Sequence, residues 1–169
     1  MANSPHPSDN DPIDILNKKR IDWEIEKSQI LRILPELILL LKKLENCKYS
    51  IESLKSSNSL MFYPIGESVY SETLRERLIE RWSNFVYYIS GTNDFIQKLL
   101  PTRIFNIQRE RKEIIRKNIV EKINLLLKDI PENRHEVLMK LQNLDIVLDE
   151  AKTYFSSIIK TYQQVLETR

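Results

Sequence analysis

Glycine is almost missing from this chain: Gly66 and Gly91 are the only two among 169 residues. Average usage is roughly 7 %. Phosphate cradles, tight β-turns and strained catalytic loops all draw on glycine, so its scarcity argues for long helices joined by few turns. Cysteine occurs once, as Cys47. It can form no disulfide within the chain, and it suits a reducing compartment. The two histidines, His6 and His135, are remote from each other and from the cysteine. No GxSxG, HExxH, P-loop or GxGxxG motif occurs, and no EF-hand spacing collects carboxylates. The expectation is therefore no catalysis, no cofactor, no metal and no small-molecule substrate.

Charge of one sign is lacking too. The formal net charge is +2, which projects no global field toward nucleic acid. The window Arg103 to Lys117 is locally basic, but Glu110 and Glu113 interrupt it, and a solvated, salt-bridged helix face explains it. The most apolar run, Ile30 to Leu41, contains Arg32, Pro35 and Glu36. It falls short of the roughly 20 residues a membrane span needs. The first twelve residues are polar, hold Pro5, Pro7 and Pro12, and show no apolar signal core. These features place the expected chain inside the cell, in nucleus or cytoplasm, away from membrane.

What the chain does have is a seven-residue apolar grid. Leu16, Trp23, Ile30, Leu37, Leu44 and Ile51 follow one line near the N-terminus. Near the C-terminus Leu141, Leu148, Phe155 and Tyr162 form a second line, with Val137, Leu144, Ala151, Ile158 and Val165 beside it. A heptad repeat keeps a narrow stripe of a helix turned toward a partner helix, its own or another protein's. The first half of the N-terminal stripe is weak, because Lys19, Glu26 and Lys27 flank Trp23. Its second half is strong, because Ile33, Leu34, Leu40 and Leu41 widen it. Cys47 lies on an inner line and reads as a small buried hydrophobe.

The fold class that follows is all-α: an elongated coiled-coil hairpin or bundle of about four helical segments. Residues 1–10 read as a disordered tail, and 11–169 as a single helical domain. The first arm covers 11–55, with a kink at Pro35 or two helices meeting there. A connector covers 56–70 and has room for a short β element. A short helix covers 71–90, with Leu74, Leu78, Trp82, Phe85 and Ile89 at helical steps; Ser90–Gly91 ends it. A third helix covers 93–130, capped by Thr92 or Asn93 and closed by Pro131. The last helix covers 133–169, with Asn133 as cap and Glu136 as its capping-box partner.

These stripes make protein–protein contact the expected business of the chain. The candidate interface residues are Trp23, Ile30, Leu37, Leu44, Leu141, Leu144, Leu148, Phe155, Ile158 and Tyr162. The expected partners are other helical subunits of a hetero-oligomer. Scaffolds of the kinetochore, transcription-regulator or tethering kind are the architectural analogues.

A second reading comes from local motifs. Lys48-Tyr-Ser-Ile-Glu-Ser-Leu-Lys55, Pro64-Ile-Gly-Glu-Ser-Val-Tyr70 and Ile89-Ser-Gly-Thr-Asn-Asp-Phe-Ile-Gln-Lys98 resemble stretches of an α-type prefoldin subunit. The resemblance covers less than a third of the chain. It implies a molecular chaperone subunit whose β-hairpin hub would span Leu60 to Lys98 and whose arm tips would hold unfolded client proteins. Against it, Glu72 to Trp82 carries helical rather than alternating apolar spacing.

Overall fold

The computed structural model describes residues 12–56, 72–99, 109–132 and 134–168. All four elements among them are helices: α1 Pro12–Ser56, α2 Glu72–Lys98, α3 Arg109–Leu127 and α4 Arg134–Thr168. The tail at 1–10 and the connector with its possible β element lie outside the described residues.

The helices form a ring of neighbours. α1 packs on α2 and α4, and α3 packs on α2 and α4, while the backbones of the diagonal pairs stay apart. Every neighbouring pair is antiparallel. Glu45 and Lys152 approach to 3.7 Å across α1 and α4, while Lys48 bonds Asp149 and lies 3.8 Å from Asp145. Lys43 stands over the Phe95 ring at 5.4 Å, and Cys47 meets Thr92, which fixes α1 against α2. Lys122 reaches Glu150, and Lys140 reaches the Leu126 carbonyl, which fixes α3 against α4. This is an up-down-up-down four-helix bundle.

The two heptad stripes meet each other at its centre. Ile30, Leu37, Leu44 and Ile51 are buried, as are Leu141, Leu148, Phe155 and Tyr162. Val137, Leu144 and Ala151 join them, and Ile158 and Val165 pack partly buried against this core. From α2 come Trp82, Phe85, Ile89 and Ile96, and from α3 Ile119 and Ile123. Each such side chain contributes roughly 1.5–3 kcal/mol by leaving water, which outweighs unfavourable local propensity at several points.

Pro35 and Gly91 show the balance. α1 runs unbroken through Pro35, so two separate helices do not form there. Proline denies the Leu31 carbonyl its helical partner. Both residues lie on the exposed side of α1, where that carbonyl is open to water. Nor does Gly91 end its helix: α2 continues to Lys98, because Thr92, Asn93, Ile96 and Leu99 beyond it are all buried. The third helix accordingly starts at Arg109 rather than at 93. Residues 89–98, where the prefoldin resemblance implied a hairpin, are helical.

A methyl group placed on Gly91 would meet nothing within 4 Å. Gly91→Ala is expected to stabilise the bundle by about 1 kcal/mol through helix propensity, raising the thermal midpoint by about 2–4 °C. Thermal unfolding followed by circular dichroism measures it. A lower midpoint would mean that α2 needs the flexibility of glycine at this point.

The helix ends are closed by side chains. Arg116 of α3 donates to the carbonyls of Ile96 (3.1 Å) and Gln97, covering the end of α2, and pairs with Glu113. Lys140 does the same for α3 at Leu126, 3.1 Å away. Such groups satisfy carbonyls that a helix terminus leaves open. Ahead of α4, the Glu136 carboxylate accepts from the Glu132 backbone N–H at 2.7 Å; Asn133 lies outside the described residues.

Candidate assembly interface

The α1–α4 seam decides what is left uncovered. Glu45 lies by Lys152 and Lys48 by Asp149, so each step forward along α1 is one step back along α4. Continued at that setting, Thr168 stands level with about Gln29. The first turns of α1 therefore extend beyond the last described turn of α4 by about 25 Å, at 1.5 Å per residue. Burial follows the same boundary. No residue from 12 to 29 is buried, and Ile30, the first that is, is fully enclosed.

This extension is not polar. Ile13 is 67 % exposed, Leu16 65 %, and Ile21 and Ile25 54 % each, while Trp23 is half-buried. Ile21 and Ile25 line an open concavity with Arg20, Glu24, Ser28 and Gln29. Further along α1, Leu31, Ile38 and Leu39 are also exposed, although Ile30, Leu37 and Leu40 beside them are in the core. The exposed positions lie more than about 100° round the helix from the core line. From Ile21 to Leu39 the helix thus carries apolar side chains on both of its faces. A helix that is apolar all round is normally a buried one.

Of the ten interface residues expected from the heptads, nine belong to the chain's own core. Ile30, Leu37, Leu44, Leu141, Leu144, Leu148, Phe155 and Tyr162 are buried, and Ile158 packs against them. In this fold they are covered by neighbours within the chain. Trp23 alone stands on the extension. The exposed residues Ile21, Ile25, Leu31, Ile38 and Leu39 are off the grid, so a search for heptads passes over them. For Leu31, Ile38 and Leu39 the signal is the apolar run from Ile30 to Leu41, which leaves out Ile21 and Ile25.

Electrostatically the interior of the seam is quiet. Lys48 is held charged above the usual lysine range by its bond to Asp149 and by Asp145 close by. Burial pushes the Cys47 thiol up, against weaker opposing effects from Thr92 and Lys43, which keeps it a neutral, unreactive thiol. Tyr154 is pushed up to about 12, mainly by burial. Among the described residues no group of three or more His, Cys, Asp or Glu is placed to hold a metal ion. No described helix is long and apolar enough to cross a membrane. In the basic window, Arg116 is committed to the end of α2 and to Glu113.

No family model matches the chain, and no curated protein or solved structure proved similar to it.

Proposed function

We propose that this chain is a non-catalytic structural subunit of an intracellular multi-protein complex, joined to helical partners through the N-terminal half of α1. The observation that carries this reading is the uncovered apolar extension. Leu16, Ile21 and Ile25 are all more than half exposed on the part of α1 that reaches past the last described turn of α4. Exposed apolar residues of this size, gathered on one element, mark an interaction site. The occupant is a helix, because the line Leu16–Trp23–Ile30 continues the spacing that α4 fills farther along. The four-helix body then acts as a rigid handle that presents the extension.

Amide hydrogen exchange tests this directly. In the purified chain, the amides of residues 12–28 are expected to exchange on the order of a hundredfold faster or more than those of residues 37–51, because none of the residues 12–28 is buried. In the complex isolated from its native cell, the same amides are expected to slow toward core values. Unchanged exchange at 12–28 within that complex would remove α1 as the point of attachment.

A further inference from the structure

The middle of the bundle is crossed by a polar layer that its aliphatic surroundings do not require. Cys47 of α1 donates from Sγ to Thr92 Oγ1 at 3.2 Å. Beside Thr92 on α2, Asn93 is only 3 % exposed. Its Nδ2 donates to the Val120 carbonyl at 3.2 Å and to Asn124 Oδ1 at 2.9 Å, both on α3. Its Oδ1 is buried without a hydrogen-bond partner. Leaving a buried acceptor open costs free energy. A leucine or isoleucine at this position would avoid that cost, so stability alone does not account for the asparagine.

The surrounding layers explain what the polar group adds. Ile89 and Ile96 of α2 are one heptad apart, as are Ile119 and Leu126 of α3. Sliding α2 along α3 by seven residues would set Ile89 in the place of Ile96 and so keep part of the apolar contact. The same slide takes Val120 and Asn124 away from Asn93, and takes the Ile96 and Gln97 carbonyls away from Arg116. Only one axial setting satisfies both groups. A buried asparagine that fixes alignment at the expense of stability is an established device in packed helices.

We infer that Asn93, supported by Arg116, is the register key of this bundle, fixing the axial position of α2 against α3. Asn93→Leu is expected to raise the thermal midpoint by about 2–4 °C. At the same time, the amide resonances of α2 and α3 are expected to split into more than one set as slipped alignments become populated. A single sharp set of resonances in that variant would overturn the inference. A second measurement on the unaltered chain holds even if the variant fails to fold. The carboxamide protons of Asn93 should exchange on the order of tenfold slower than those of the exposed Asn84, because they are held by α3. Equal rates would show that the bonds to Val120 and Asn124 are not maintained, and the key would be lost with them.

Discussion

Leu148→Asp is expected to unfold the chain. Leu148 is fully enclosed on the inner line of α4, within the core that Leu44 and Leu144 share. Removing a buried leucine side chain costs about 2–5 kcal/mol through lost transfer energy and the space left behind. The introduced carboxylate adds several kcal/mol more, because the buried cluster that holds Leu148 is apolar. A domain of this size has about 5–15 kcal/mol to lose. Circular dichroism at 222 nm and urea denaturation should show little or no cooperative structure. A folded Leu148→Asp variant that had lost only its partners would put Leu148 on an outer surface. The seam between α1 and α4 would then be wrong.

The opposite behaviour is expected from Ile21→Asp combined with Ile25→Asp. Both residues are 54 % exposed on the extension of α1. Exposed substitutions of this kind change stability by about 0.5 kcal/mol or less each. The thermal midpoint should stay within a few degrees of the native value. Binding should not survive. Each isoleucine covered by a partner contributes roughly 1.5–3 kcal/mol, and a carboxylate placed in that contact opposes it further. Affinity for the native partner should fall by a hundredfold or more, since about 1.4 kcal/mol corresponds to tenfold. Affinity purification of native and doubly substituted chains from the source cell, with quantitative mass spectrometry, reads the difference. Full retention of the partner by the double variant would move the interface elsewhere. The two experiments form a pair: one substitution destroys the fold, and the other spares the fold while cutting the assembly.

The all-helical character was readable in the chain because it rests on local signals. The scarcity of glycine, the heptad lines through Ile30–Ile51 and Leu141–Tyr162, and the steps Trp82–Phe85–Ile89 each report one helix face. What those lines could not report was their destination. Nothing in the spacing of Leu44 or Leu148 distinguishes a neighbour in the same chain from one in another, and here the two stripes close on each other. Gly91 misled for a related reason. Its preference for a helix terminus is worth about 1 kcal/mol, and the buried Ile96 and Leu99 beyond it are worth more. The extension of α1 was hidden because it depends on the setting of the α1–α4 seam. That setting shows only in long-range pairs such as Lys48–Asp149. A periodic pattern alone allows that seam to stand one heptad away.

The antiparallel seam also has a mechanical meaning. A pull on the α1 extension, opposed at the far pole of the bundle, acts along the helix axes rather than across them. The layers from Ile30 to Ile51 then resist in shear, together, instead of peeling apart one after another. A protein gripped by its first turns would hold against tension far better than the same core gripped from the side, which is a useful property in a tether.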